Sequence, residues 1–231
     1  MRVLLISDVH GNIDALEAVL KVASYDEALF VGDAVDYGPF PLEAFSRLRR
    51  AGAKAVLGNH DAAASFGIDC RSSPAMYAAS VVTRRRITLP RMPKAALKDL
   101  GKAARKLDTD YGGFRVRALH ASPSDELYQY ITKEEAAGLK VRGTDLLVVG
   151  HTHVHYEVKK GGTWVVNPGS VGMPKDGDPG ASYAVLDTQK REVRFERARY
   201  DPEPMLSELR KILDDSPKTF ELLAKVFRTG K

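Results

Sequence analysis

Short apolar runs that stop at small polar residues alternate with segments of helical periodicity over the first sixty residues. The apolar positions of residues 13–20 and 42–48 recur at helical spacing, and Asn12 can cap the first of these helices. Because the apolar runs are short and continuous, they predict buried strands at residues 2–6, 27–31 and 54–57. The resulting β-α-β-α-β order predicts an α/β fold that contains a parallel sheet.

The middle and the C-terminal part of the chain show other patterns. Residues 62–112 carry two predicted helices, at about 73–86 and 94–107. A stretch of about 50 residues with few large apolar groups would form a poor core of its own, so we interpret it as a helical excursion from the sheet. Further strands are predicted at 114–119, 146–149 and 163–166, then a hairpin at 181–186 and 192–198, and two amphipathic helices over about 203–228.

The composition is that of an ordinary globular protein. We predict a single domain over residues 1–231, since 44% of the residues are hydrophobic and 28% are charged. The single cysteine, Cys70, cannot form an internal disulfide, which favours a reducing cytoplasm as the location. The apolar start of the chain is too short for a signal peptide, and no apolar run reaches 18 residues, so we expect no membrane partner.

The net charge of +5 is unevenly distributed. Residues 84–106 contain nine Lys or Arg residues and one acid, Asp99. On the predicted helix, a stripe of lysines four residues apart is formed by Lys94, Lys98, Lys102 and Lys106. The stripe is either a solvated face or a surface that steers an anionic substrate, nucleic acid included. Few aromatic residues lie between these charges, so the pattern does not indicate a stacking platform for single-stranded nucleic acid.

Histidines follow predicted strands more often than chance would place them there. Five of the six come after a strand, among glycines and small polar residues: His10, His60, His120, His151 and His153. Asp8 and His10 are two residues apart, as are His151 and His153, so each pair would point to the same side of an extended segment. One cation could therefore contact both members of a pair.

Further polar residues follow the other strands and add to these pairs. Asp33 and Asn59 each come after a predicted strand, and the carboxyl ends of parallel strands meet at one crevice. Imidazole, carboxylate and amide groups suit divalent metals. Without His60, which stands next to Asn59, these residues make seven ligands. Seven are too many for one tetrahedral zinc and suit two ions that share a carboxylate, an arrangement for displacement at phosphorus.

The motifs resemble those of the calcineurin-like metallophosphoesterases in residue type, order and strand context. The five matching blocks are Asp8-Val-His10-Gly-Asn12, Gly32-Asp33-Ala-Val-Asp36, Gly58-Asn59-His60-Asp61, His120, and Gly150-His151-Thr-His153. The segment Asn167-Pro-Gly-Ser-Val171 resembles the loop that follows in the small bacterial and archaeal phosphodiesterase branch. The resemblance implies a two-sheet β-sandwich flanked by helices.

The resemblance also implies two divalent metal ions and the ligands of each. We expect manganese, with iron, zinc and nickel as alternatives. Asp33 would bridge the ions. The first ion would be held by Asp8, His10 and His153, and the second by Asn59, His120 and His151.

For the reaction, the resemblance implies attack by a hydroxide that bridges the metals, with His60 as general acid and Asp36 as the residue that orients it. A plain turn residue is the alternative role for Asp36. Tyr37 stands where the protein phosphatase branch has an arginine that grips phosphate. This favours a diester over a phosphoprotein monoester, unless an arginine of residues 84–91 takes its place.

The expected function is hydrolysis of a phosphodiester in a small phosphorylated or nucleotide substrate. A nuclease of the same superfamily and a non-catalytic protein-binding scaffold of this fold are the alternatives, and a homo-oligomer stays open. His155 is predicted to lie outside the metal shell, although strand alternation would place it on the same side as His153. Cys70 is predicted to be a small apolar or exposed residue of the helical excursion rather than a nucleophile, because no histidine is near it in sequence.

Overall fold

Two sheets form the centre of the protein in the computed structural model, which describes residues 1–159 and 163–231. The strands are β1 (Arg2–Ile6), β2 (Glu27–Phe30), β3 (Lys54–Ala55), β4 (Lys106–Asp110), β5 (Arg115–Leu119), β6 (Leu146–Val148), β7 (Tyr156–Val158), β8 (Trp164–Asn167), β9 (Ala181–Asp187) and β10 (Glu192–Ala198). One sheet has the order β10-β9-β1-β2-β3, and the other has the order β4-β5-β6-β8-β7. Both are mixed five-stranded sheets, which confirms the predicted two-sheet sandwich.

Helices cover the outer faces of the sheets. They are α1 (Ile13–Val22), α2 (Pro41–Arg50), α3 (Asn59–Phe66), α4 (Pro74–Thr83), α5 (Leu89–Arg91), α6 (Lys94–Leu100), α7 (Lys133–Ala136), α8 (Glu203–Ile212) and α9 (Pro217–Thr229). A π-helical turn, Arg84–Thr88, joins α4 to α5. The Asn12 side chain caps α1 by accepting a hydrogen bond from the Ala15 backbone N–H at 3.1 Å, as predicted. Across the described ranges, no helix combines the length and the apolar character needed to cross a membrane.

The first sheet confirms the β-α-β-α-β prediction. β1 pairs with β2 and β2 with β3 in parallel, whereas β9 pairs with β1 and β10 in antiparallel. Both faces of β1 are buried. Leu4 and Ile6 pack in the cluster beneath α1 and α2, while Val3 and Leu5 pack between the sheets against residues such as Val116 of β5. Because both faces are covered, the strand is a continuous apolar run rather than an alternating one.

The segment from residue 94 to residue 110 differs from its prediction. The helix expected over 94–107 ends at Leu100, because Gly101 follows and residues 106–110 pair with β5 as the antiparallel edge strand β4. Only Lys94 and Lys98 of the predicted lysine stripe lie on α6. The stripe therefore does not form, and the helical excursion predicted over 62–112 ends before β4.

Candidate metal centre

The loops that follow the strands leave the extended conformation at once. Positive φ angles occur at five predicted ligands: Asp8 (53°), His10 (48°), Asp33 (66°), His151 (66°) and His153 (60°). The side chains of Asp8 and His10, and those of His151 and His153, do converge on one site. The predicted cause, alternation along an extended segment, is wrong, because these residues are not extended. L-residues with side chains seldom adopt this conformation, and such strain is concentrated at functional sites.

The first cluster consists of Asp8, His10 and His153, all buried. Asp8 Oδ1 lies 3.3 Å from His153 Nε2 and 3.9 Å from His10 Nε2. The two Nε2 atoms are themselves 3.3 Å apart. Three donor atoms from two distant parts of the chain thus surround one point.

The hydrogen bonds around the first cluster fit a bound cation. His10 Nδ1 donates to the Val35 carbonyl at 2.9 Å, and His153 Nδ1 donates to the Met173 carbonyl at 2.6 Å, so each Nε2 presents a lone pair inward. Asp8 Oδ1 is buried with no hydrogen-bond partner. Buried acceptors that face one another without a donor are unfavourable unless a cation lies between them.

The second cluster contains Asp33, Asn59, His120 and His151. His120 Nε2 lies 3.3 Å from Asp33 Oδ2 and 2.9 Å from Asn59 Oδ1, while its Nδ1 donates to the Val31 carbonyl at 2.7 Å. Asp33 Oδ2 is also 3.8 Å from His10 Nε2. Asp33 therefore reaches both clusters, as a shared carboxylate must.

Backbone carbonyls orient the remaining two donors of the second cluster. Asn59 Nδ2 donates to the Cys70 carbonyl at 2.6 Å, which directs Asn59 Oδ1 toward His120. His151 Nε2 donates to the Tyr128 carbonyl at 3.1 Å, which leaves Nδ1 as its acceptor. Cys70 thus takes part in the site through its backbone, a role that no side-chain pattern predicts.

The charges in the two clusters favour a cation. Burial opposes ionisation of Asp8 and Asp33, but adjacent His153 and His120 outweigh it and hold both carboxyl pKa values below their usual range. Burial, with the nearby His120, lowers the pKa of His151 to about 3. His120 is the exception, since Asp33 overcomes burial and raises its pKa to about 9. A divalent ion would replace that proton.

His60 and Asp36 lie beside the clusters and form the expected pair. His60 Nδ1 is 2.8 Å from Asp36 Oδ2, and Asp36 also accepts hydrogen bonds from Thr88 Oγ1 at 2.8 Å and from Arg84. The opposite ring atom, His60 Nε2, lies 3.1 Å from Ser72 Oγ in the cavity in front of the clusters.

Among the described residues, no side chain of 84–91 lines the cavity, so none takes the place of the arginine that grips phosphate in the protein phosphatase branch. The Tyr37 ring is buried, and its hydroxyl contacts Ser72 Oγ at 3.2 Å. Arg84 lies behind Asp36, bound to its carboxylate, and does not line the cavity.

Asp61 stabilises the backbone of the loops that carry Asp33 and Gly58, a role that the sequence analysis did not predict. Its carboxylate accepts from the backbone N–H groups of Asp33 and Ala34 at 2.8 Å each and of Gly58 at 3.2 Å. A side chain at Gly58 would place its Cβ 2.0 Å from Asp33 Oδ1, so only glycine fits here. Burial raises the pKa of Asp61 to about 7.

His155 lies away from both clusters, in agreement with its predicted place outside the metal shell. Its ring is partly exposed, and Nδ1 is 3.0 Å from Asp176 Oδ2. The left-handed backbone at His153 breaks the alternation that would have placed the two rings together. Strand alternation was therefore wrong for His155.

Comparison with known proteins identifies the family. A family model for the calcineurin-like phosphoesterase superfamily domain matches residues 1–191. The chain belongs to the calcineurin-like phosphoesterase superfamily. This confirms the resemblance inferred from the five motif blocks and assigns the chain to the phosphoric ester hydrolases.

Similar proteins span nearly the whole chain. An uncharacterised protein of Methanocaldococcus jannaschii is 28% identical over 219 residues, which cover 85% of this chain and 86% of that protein. Phosphodiesterase YfcE of Escherichia coli is 26% identical over 200 residues, 81% of this chain and 88% of its own length. A crystal structure of a metallophosphoesterase from Sphaerobacter thermophilus is 31% identical, covers 97% of this chain and 99% of its own, and superposes with a TM-score of 0.80.

Proposed function

We propose that this phosphoesterase is a phosphodiesterase that works with two divalent metal ions. The observation that carries the proposal is the presence of two carboxylate–histidine clusters and the His60–Asp36 pair around one cavity. Two ions, when bound, would lower the pKa of water to supply a nucleophile near neutral pH and would neutralise phosphoryl charge. Side chains of the protein would carry out the other parts of the reaction.

The proposed ligands divide between two ions with Asp33 shared. Buried, inward-facing donor atoms support this division, as does the unpartnered Asp8 Oδ1. Mixed imidazole and carboxylate ligands suit manganese, with iron, zinc and nickel as alternatives. The first ion would be bound by Asp8, His10 and His153, and the second by Asn59, His120 and His151.

His60 would act as the general acid. Asp36 accepts a hydrogen bond from His60 Nδ1, and in the imidazolium form a second proton lies on Nε2, which faces the cavity. Burial opposes that charge, but the carboxylates of Asp33 and Asp36 outweigh it and raise the His60 pKa above its ordinary value. Asp36 is not among the proposed metal ligands, so its carboxylate would favour the protonated ring that passes a proton to the leaving oxygen.

The absence of a guanidinium group among the described residues that line the cavity supports the preference for a diester. Tyr37 offers no guanidinium, and Arg84 is engaged by Asp36. A diester carries one negative charge fewer than a monoester and needs less cationic contact. The similarity to a protein named as a phosphodiesterase points the same way.

Hydrolysis of bis-p-nitrophenyl phosphate and of p-nitrophenyl phosphate, each with Mn²⁺ or with a chelator, tests the proposal. We expect a higher kcat/KM for the diester and loss of both activities with the chelator. A higher value for the monoester would contradict the diester preference, and activity that survives chelation would contradict the metal centre. Inactivity with every divalent metal would favour the scaffold alternative, whereas cleavage of oligonucleotides alone would favour the nuclease.

A further inference from the structure

We propose that Lys175 binds a non-bridging phosphoryl oxygen of the substrate and so provides the positive charge that Tyr37 cannot. This inference rests on the proposed function, because it assigns a substrate contact in that same cavity. Lys175 lies on the loop between β8 and β9 and lines the cavity together with His60 and His153.

The loop that carries Lys175 is held to the metal-binding segments by backbone contacts. The Gly172 N–H donates to the Asp8 carbonyl at 3.0 Å, and the Lys175 N–H donates to the His153 carbonyl at 3.2 Å. Between them, the Met173 carbonyl accepts a hydrogen bond from His153 Nδ1. The base of the lysine side chain is therefore positioned by the same segments that position Asp8 and His153.

The ammonium group of Lys175 has no partner of opposite charge within salt-bridge distance in residues 1–159 and 163–231. The nearby acids are occupied, since Asp176 pairs with Arg197 and His155, and Asp178 pairs with Arg199. The side chain is nevertheless half-buried. A half-buried charge without a paired counter-charge is unfavourable and indicates that an anion completes the site.

The surroundings of Lys175 give the same indication. The cavity that it lines is also lined by Asp33, His151 and His153 of the two clusters. A phosphoryl group bound in this cavity would therefore lie beside both the clusters and the ammonium group, and a charge-assisted contact is among the stronger hydrogen bonds.

Lys175 also stands apart among the residues of this cavity. Of the described residues that line it, Lys175 is the one Lys or Arg side chain. An ammonium group is a point charge that contacts one oxygen well, whereas a guanidinium forms a two-pronged contact. One such contact matches the single negative charge of a diester.

Calorimetric binding of inorganic phosphate to the Mn²⁺-loaded protein tests the inference without any turnover. The variants are K175M, which keeps the chain length and removes the charge, K175R, which keeps the charge, and K190M as a control at an exposed lysine in the β9–β10 turn. We expect phosphate to bind K175M about tenfold or more weakly than wild type, since a charge-assisted contact is lost. K175R should stay within about threefold of wild type, and K190M should be unchanged.

Equal phosphate affinity of K175M and wild type, with equal metal content, would overturn the inference, as would the absence of phosphate binding by wild type. Parallel assays with bis-p-nitrophenyl phosphate separate it from the proposed function. If wild type cleaves no diester but its phosphate binding depends on Lys175, the proposed function fails and the contact stands. If K175M cleaves the diester with unchanged KM and kcat, the contact is wrong and the function stands.

Discussion

Replacing His60 with asparagine should slow hydrolysis in proportion to the basicity of the leaving group. In the structure His60 is 4% exposed, its Nδ1 is held by Asp36, and its Nε2 faces the cavity. An asparagine side chain removes the proton donor. A basic phenolate needs that proton as it leaves, whereas p-nitrophenolate leaves well without it.

The magnitude follows from the role of the group. General acids contribute about 10²–10⁴-fold, or about 2.7–5.5 kcal/mol of barrier height. We expect a loss of that order in kcat for a phenyl ester of a nucleoside monophosphate, and about tenfold or less for its p-nitrophenyl ester. The ligands should be unaffected, because the contact from residue 60 to Asp33 Oδ1 comes from the backbone N–H at 2.9 Å and survives the substitution.

The assay compares kcat for both esters and metal content by mass spectrometry in wild type, H60N and the control H155N. His155 is a partly exposed histidine paired with Asp176, so H155N should match wild type for both esters. Equal losses for the two esters in H60N would refute the general-acid role. A matching fall in metal content would reassign His60 as a ligand.

The other predictions concern pH, stability and metal removal. In D36N the alkaline limb of the kcat profile should move to lower pH, because Asp36 helps raise the His60 pKa and the acid acts when protonated; an unmoved limb would contradict this. D61A should lower the free energy of unfolding in urea by about 1–3 kcal/mol, since three backbone N–H groups lose their acceptor. Unchanged stability would contradict a stabilising role for the Asp61 carboxylate. Chelation should lower Tm and Mn²⁺ should restore it, with about 2.7 kcal/mol gained at 100 times the Kd; an identical Tm with and without metal would contradict a metal site in the native state.

Much of the first sheet and of the candidate site was predictable from local pattern. The continuous apolar run of β1, which is buried on both faces, differs in pattern from the helical periodicity of the segments between the strands. The polar residues after β1, β2 and β3 meet because these parallel strands end at one edge. The histidines after β5 and β6 belong to the second sheet, and they reach the site because the two sheets pack against each other. That the seven gathered side chains are metal ligands stays a prediction, as does the single-domain organisation.

Other features depend on contacts that no local pattern contains. β4 forms at an edge through pairing with β5, and this tertiary contact overrides the helical spacing of residues 94–107. The side chains of the residues whose carbonyls orient the histidines give no sign of that role; these residues are Val31, Val35, Tyr128 and Met173. Lys175 was likewise missed, because the loop that brings it to the cavity is positioned by distant segments.

The most direct test of the central claim is an anomalous difference map from crystals grown with Mn²⁺. We predict two manganese peaks per chain about 3.5–4 Å apart, with Asp33 between them. One peak would lie among Asp8, His10 and His153, and the other among Asn59, His120 and His151. A single peak, or peaks away from these side chains, would contradict a two-metal centre.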